Sequence, residues 1–365
     1  MSDEKALLAA IWEHPHDDTP RLVYADWLEE TGEPAKVARA EFIRIQCELA
    51  RVEEDDPRRP RLQKREEQLE RRYWKAWAAD LPGKRSESPE FQRGFPWPGN
   101  VAFSAEALAD VRPDQLRGRP IWWLGFNVTA ENWRTVLAWP HLDRVYQVKL
   151  EGPFPRGWAA AVARCPGLRN VSELSFGRVP VRPADLRVIL DAWAGRALAT
   201  LGLWDYPVGD KVIRVLARHP TAARLRKLDL YRVGLTPAGL RLLASGGGLT
   251  GLRELDIHGD PIGDDGLAEL LRSPHLHALR KLDLIRTGIT DVGAAALADC
   301  PGLAGLRKLY LTGNHVGVAG ARALCRSPHL GKLRTLFLAG NPVAESEEGK
   351  ALKERFEHLV FRLGI

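Results

Sequence analysis

The sequence predicts an α/β fold, a solenoid of repeated strand–helix units preceded by a small all-helical module. Two observations predict it. Leucines recur at a fixed period of 27 residues in the second half of the chain, and helix-period apolar patterns fill the first 80 residues. A third observation separates the two halves: all 12 tryptophans lie at or before Trp204.

The repeat is clearest in one leucine column. Its members are Leu174, Leu201, Leu228, Leu255, Leu282, Leu309 and Leu336. Each unit reads L-x-x-L-x-L, typical of a short strand, followed by a segment of helical period such as Leu240 to Leu243. One strand and one helix cannot bury their own apolar faces, so stacked copies are expected to share a continuous core.

From about residue 168 to 343 these units resemble the leucine-rich repeat family, in its ribonuclease-inhibitor-like subclass. The resemblance implies a curved parallel sheet inside and helices outside. The family's asparagine position reads Val179, Tyr206, Val233, Asp260, Thr287, Asn314 and Asn341. Because only the last two are Asn, the side-chain ladder to the loop backbone is expected to be incomplete in the early repeats.

Outside the regular repeats the pattern weakens. Residues 84–343 are assigned to the solenoid, irregular to about 167 and regular from 168. The early tryptophans are expected to fill the core where leucines are missing, and a tryptophan-lined ligand site is the alternative. Residues 344–365 are assigned to a capping helix, because Leu352, Phe356, Leu359 and Val360 have helical spacing. Such a helix would shield the exposed apolar end of the last repeat from water.

The N-terminal segment, residues 1–83, is predicted to form four helices. They hold Leu7 to Trp12, Leu22 to Leu28, Val37 to Leu49 and Leu62 to Trp77. The stretches DDTPRLVYADWLEETG and ARAEFIRIQCELAR resemble the short bacterial repeat-companion domain. That resemblance implies an architecture, a helical module fused to a repeat array, and no activity.

Composition excludes several classes. The chain is 45% hydrophobic and 27% charged, without a run of 18 apolar residues, so no membrane span is expected. The acidic start Met1–Lys5 is unlike a secretory signal. Four scattered cysteines suit a reducing compartment, and we expect a cytoplasmic monomer.

Motifs of nucleotide-binding loops, zinc proteases, α/β-hydrolases and paired C-x-x-C sites are absent from the sequence. His14 and His16 flank Pro15 with nothing to fix their geometry, so no metal site is predicted there. We therefore expect no enzymatic activity, cofactor or metal. A regulatory subunit of the GTPase-activating type is a further alternative, but no motif supports it.

The strand pattern places alternate residues on the concave face, where we expect a protein partner to bind. The candidate residues are Trp204, Lys227, Asp229, Tyr231, Glu254, Asp256, His258, Lys281, Asp283, Lys308, Tyr310 and Phe337. Lys227 and Lys281 are expected to pair with the stacked aspartates.

A second column forms a basic rim. It comprises Arg226, Arg253, Arg280, Arg307 and Arg334, and the chain's net charge is +6 with a pI near 9.2. Five stacked guanidinium groups suggest an alternative function, the binding of nucleic acid or another polyanion. The acidic columns beside the rim would offset its field, so a protein partner is preferred.

Overall fold

The computed structural model describes most of the chain in two compact units. The described residues are 3–13, 17–52, 56–77, 90–92, 94–97, 102–103, 121–127, 133–140, 142, 145–196, 198–247, 250–347, 349 and 360–362. The first unit comprises residues 1–127 and 139–147, and the second comprises residues 128–138 and 148–365.

Four helices dominate the first unit, as predicted. They are α1 (Asp3–Glu13), α2 (Thr19–Glu30), α3 (Pro34–Arg51) and α4 (Arg59–Trp77). Prolines lie in the first turns of α2 and α3, where a missing N–H costs nothing. His14 and His16 lie outside the described residues.

A hairpin packs against these helices. Its strands are β1 (Glu90–Gln92) and β2 (Phe95–Trp97), paired antiparallel. Gln46 of α3 holds it by donating to the Phe91 carbonyl and accepting from the Gly94 N–H. Phe91 also packs edge-on against Phe42 and Trp77, whose rings lie 5.2 and 5.8 Å away. The same unit contains β3 (Ala102–Phe103) and β4 (Ile121–Asn127), paired in parallel.

The second unit is a ladder of short parallel strands. After β5 (Val145–Glu151) come β6 (Glu173–Gly177), β7 (Thr200–Trp204), β8 (Lys227–Tyr231), β9 (Glu254–Asp256), β10 (Lys281–Asp283), β11 (Lys308–Tyr310), β12 (Thr335–Phe337) and β13 (Val360–Arg362). The strands lie in chain order, and the pairing from β6 to β12 joins residues 27 positions apart. The predicted leucine column is therefore a row of direct neighbours.

A helix follows most strands. The helices of this unit are α5 (Trp133–Leu137), α6 (Trp158–Arg164), α7 (Pro183–Ala192), α8 (Gly209–Arg218), α9 (Pro237–Ser245), α10 (Gly263–Leu271), α11 (Asp291–Ala298) and α12 (Val318–Arg326). Leu228 and Leu230 of β8 and Leu240 and Leu243 of α9 are fully buried. This is the shared strand–helix core that the 27-residue period predicts, and it makes the unit an α/β solenoid of repeated strand–helix units.

Backbone conformation repeats at the strand exits. Residues at 27-residue intervals have positive φ: Arg178, Asp205, Arg232, Gly259, Arg286, Gly313 and Gly340. Only glycine adopts this left-handed region without steric cost. Each repeat therefore has one left-handed residue after its strand, and at four of these seven positions that residue is not glycine.

The asparagine ladder is present only in the late repeats, as predicted. Asn314 Oδ1 accepts from the backbone N–H groups of Thr287 and Ile289, and Asn341 Oδ1 accepts from that of Val316. Asp260 serves the same role for Val233 and Gly234. The hydroxyl of Thr287 donates instead to the Leu284 carbonyl within its own turn.

The structure can be compared with two sequence predictions, one for the early tryptophans and one for the C-terminal capping helix. Trp158 and Trp193 are buried, and the Trp193 indole donates to the Val171 carbonyl, so these tryptophans do fill the core. The predicted capping helix lies mostly outside the described residues. Val360, assigned to that helix, instead begins β13, which pairs in parallel with β12 and satisfies the backbone groups along that side of β12.

Candidate functional site

The candidate site is the face of the repeat sheet opposite the buried leucines, which we call the open face. Strand β8 shows a strict alternation. Leu228 and Leu230 are buried, while the residues that alternate with them, Lys227, Asp229 and Tyr231, are partly exposed. Side chains of a strand alternate between its two faces, so every second residue of each strand belongs to the open face.

Strand register aligns the candidate residues in three columns. The first joins Lys227, Glu254, Lys281 and Lys308, and the second joins Asp229, Asp256, Asp283, Tyr310 and Phe337. The third begins with the register pair Trp204 and Tyr231 and continues at His258, just past the end of β9. The predicted residues are thus neighbours on one surface.

Trp204 lies flat across two glycines. A Cβ placed on Gly177 would come within 3.1 Å of the Trp204 ring, and one placed on Gly202 would come within 3.0 Å of its Nε1. The Lys149 ammonium lies 3.7 Å from the ring centroid on the open face. Lys149 also pairs with Glu151, which accepts from Arg178. Sequence reasoning missed Lys149 because the 27-residue spacing breaks before β6.

Two aromatic pairs stack between adjacent repeats. The rings of Tyr231 and His258 lie 4.1 Å apart at 21°, and those of Tyr310 and Phe337 lie 4.8 Å apart at 7°. The Lys281 ammonium sits 5.0 Å from the Tyr310 centroid. All four rings are partly exposed, so the open face presents flat aromatic surface held in place by neighbouring strands.

Between these pairs lies an acidic cluster, which we define as Asp229, Asp256 and Asp283. His258 Nδ1 lies 2.5 Å from Asp256 Oδ1, and Asp256 also accepts from the His258 backbone N–H. The predicted pairing with lysines is wrong. Within the described residues, neither Asp229 nor Asp283 has a cation at ion-pair distance, since Lys281 turns to Tyr310.

Burial and like charge change the ionisation of this cluster. Burial, assisted by the nearby Asp256 carboxylate, raises the pKa of Asp229 to about 6 and that of Asp283 to about 6. The hydrogen bond to Asp256 raises the pKa of His258. On strand β6, burial raises the pKa of Glu173, and the positive charge of Lys227 opposes that rise.

The basic rim has a structural use in at least one repeat. Arg226, Arg253 and Arg280 are exposed, and Arg307 and Arg334 are half-buried. The Arg280 guanidinium donates to the carbonyls of His277, Leu279 and Gly305, which ties two successive loops together. One Nη1 thus already serves backbone acceptors, which reduces what Arg280 offers to a phosphate.

Comparison with known proteins identifies the repeats. Residues 275–298 and 306–325 match the family model described as leucine-rich repeat. No curated protein sequence matches the chain. The same strand–helix unit recurs at 27 residues on both sides of the matched segments, so these segments belong to a longer array of equivalent units.

Two solved structures have low structural similarity to the chain. Human 5T4 (Wnt-activated inhibitory factor 1, trophoblast glycoprotein) has a TM-score of 0.37 and 20% identity, over 56% of this chain and 77% of its own. TLR13, solved in a complex with ssRNA13, has a TM-score of 0.34 and 16% identity, over 66% of this chain and 30% of its own. The resemblance of the N-terminal segment to the companion domain stays a prediction.

Among the helices that the structure describes, none combines the length and the apolar character that crossing a bilayer requires.

Proposed function

We propose that this chain is a non-enzymatic interaction scaffold whose open face binds a partner protein. Leucine-rich repeat proteins generally mediate protein–protein interaction, and this array carries their repeat. The observation that supports the proposal best is the pair of stacked aromatic couples, Tyr231–His258 and Tyr310–Phe337, on one rigid sheet face.

Rigid, partly exposed aromatics are the residue types that dominate binding energy at protein interfaces. Their positions cost little entropy on binding, because strand pairing and stacking already fix them. Asp229 and Asp283, which have no ion-pair partner within the described residues, favour a partner with basic side chains at the centre of its surface. We place the binding event in the cytoplasm, in keeping with four free cysteines.

The basic rim is the alternative surface. Its support is weaker, because the Arg280 guanidinium is engaged by loop carbonyls and because the acidic cluster lies on the same sheet. No observation favours a GTPase-activating role.

Affinity capture with the full chain tests the proposal. Wild type, the double variant Tyr231→Ala/Tyr310→Ala and the control Tyr206→Ala are compared. Tyr206 is exposed and follows β7 outside the open face, so its loss removes an aromatic side chain without touching the columns. Proteins retained by wild type and the control but lost by the double variant support the proposal. Equal retention by all three contradicts it.

The rim alternative predicts a different pattern. Retention on DNA or heparin would fall steeply with salt and be lost on Arg253→Glu/Arg280→Glu, with the tyrosine variants unaffected.

A further inference from the structure

We propose that Asp256, His258 and Asp283 form a binding site for a divalent transition-metal ion, with zinc as its representative. One ligand atom from each of these side chains lies within 4.8 Å of the others. Ligand atoms on a common zinc ion are about 3–4 Å apart, since each lies about 2.1 Å from the metal. The side chains must rotate to reach that geometry from their present positions, in which His258 Nδ1 and Asp256 Oδ1 lie 2.5 Å apart.

The strands hold the two carboxylates side by side. Asp256 and Asp283 are register partners on β9 and β10, and both are fixed by local hydrogen bonds. Asp256 Oδ1 accepts from the His258 N–H, and Asp283 Oδ1 accepts from the Ile285 N–H. The site is therefore preorganised on regular structure rather than on a flexible loop.

Asp229 and Asp283 have no cation at ion-pair distance among the described residues, and the nearby Lys281 and His258 act on them only over longer distances. Asp283 is only 6% exposed, yet among the described residues no Lys or Arg lies within ion-pair distance of it. Next to Asp256, Asp229 has a buried Oδ1 without a hydrogen-bond partner in the described part of the chain. A buried carboxylate is normally paired or bound to a metal. Three adjacent acids with one imidazole leave a concentration of negative charge that a divalent ion would neutralise.

The donor types decide the class of ion. One imidazole nitrogen and two carboxylate oxygens suit zinc, cobalt, manganese or iron(II), whereas calcium and magnesium prefer oxygen alone. The His258 side chain is 31% exposed and that of Asp256 is 14% exposed, so the outer side of the site is open. A water molecule or another ligand can complete the coordination there.

This site shares residues with the proposed partner surface, and a bound ion would neutralise part of the aspartate charge there. Metal binding is measured without a protein partner, so the two proposals can fail independently. The site departs from the expectation, drawn from the sequence, that the chain binds no metal. The pattern Asp-x-His followed by Asp 27 residues later would have revealed it, once the repeat register placed the second Asp beside the first.

Direct titration tests the proposal. Full-length protein is freed of metal with a chelator, and Zn²⁺ and Co²⁺ binding are measured by calorimetry and by Co²⁺ absorption. The variants are His258→Ala and Asp283→Asn. The control is His219→Ala, because His219 Nε2 also lies 3.0 Å from a carboxylate, that of Asp191, without belonging to a three-donor group.

The proposal predicts one ion per chain in wild type and in the control, and an affinity at least roughly tenfold lower in the two variants. Circular dichroism verifies folding. If Asp283→Asn does not fold, the affinity of the His258→Ala variant decides the outcome, because the His258 side chain is partly exposed and its loss should disturb folding less. Three results overturn the proposal: no binding by wild type, unchanged affinity in His258→Ala, or the intense Co²⁺ band of thiolate ligation, which would assign binding to cysteines.

Discussion

Asn314 accepts a hydrogen bond at its Oδ1 from the backbone N–H of Thr287, the residue at the same position one repeat earlier, over 3.0 Å. The same side chain accepts from the Ile289 N–H and donates to the carbonyls of Leu284 and Leu311. Asn314 is 3% exposed, so one amide satisfies four backbone groups that water cannot reach.

Replacing Asn314 with Ala should therefore lower the free energy of unfolding by about 3 kcal/mol or more, because each buried backbone group left without a hydrogen-bond partner costs about 1–3 kcal/mol. Chemical denaturation measures the change. The neighbouring exposed residue serves as control, and His315→Ala should change stability by less than about 0.5 kcal/mol. Equal effects of the two substitutions would show that the ladder contributes no stability.

The left-handed strand exits yield a second prediction. Gly340 has φ of 64°, and an added Cβ would meet nothing closer than 3.5 Å, so Gly340→Ala isolates the conformational cost. We expect a loss of about 1 kcal/mol in unfolding free energy. Gly331→Ala is the matched control, since its Cβ would enter open space at an ordinary φ. Thermal denaturation in which both variants match wild type would argue against this account of the exits.

The acidic cluster makes stability depend on pH. The pKa of Asp229 is about 6 in the folded chain, above the usual 3.8, because burial and Asp256 disfavour its charge. Between these values the folded state holds more protons than the unfolded state. The resulting stabilisation is complete below about pH 4 and is lost as pH rises through about 6.

Asp229→Asn should therefore raise the free energy of unfolding by about 1–2 kcal/mol at pH 8 and by roughly a third of that at pH 4.5. Denaturant titrations at both pH values, in the presence of a chelator, measure the difference. The exposed Asp265 on α10 offers a control, and Asp265→Asn should show no such pH dependence. A gain from Asp229→Asn that is the same at both pH values would rule out ionisation as its cause.

Most of the fold follows from the 27-residue period. The period sets which residues pair, so Leu228 next to Leu255, and Asp229 next to Asp256, can be read from the sequence. Polar alternation then assigns the open face. The four N-terminal helices follow from helical periodicity, and the starts of α2 and α3 also follow from the prolines in their first turns.

The local geometry of the open face could not be read in the same way. The period places Lys281 beside Asp283 but does not state that its flexible side chain turns to the Tyr310 ring. Likewise, Gly177 and Gly202 look like unremarkable strand positions until the Trp204 ring is seen to lie over them. These choices depend on side-chain packing between strands, which a one-dimensional pattern does not record.

We propose that the open face binds a partner protein through the aromatic couples Tyr231–His258 and Tyr310–Phe337. The most direct measurement is the dissociation constant of a captured partner, by calorimetry, for wild type, Tyr206→Ala and Tyr231→Ala/Tyr310→Ala. We predict that the double variant binds at least roughly tenfold more weakly, as loss of two aromatic anchors implies, while Tyr206→Ala matches wild type. An unchanged dissociation constant in the double variant would contradict the claim.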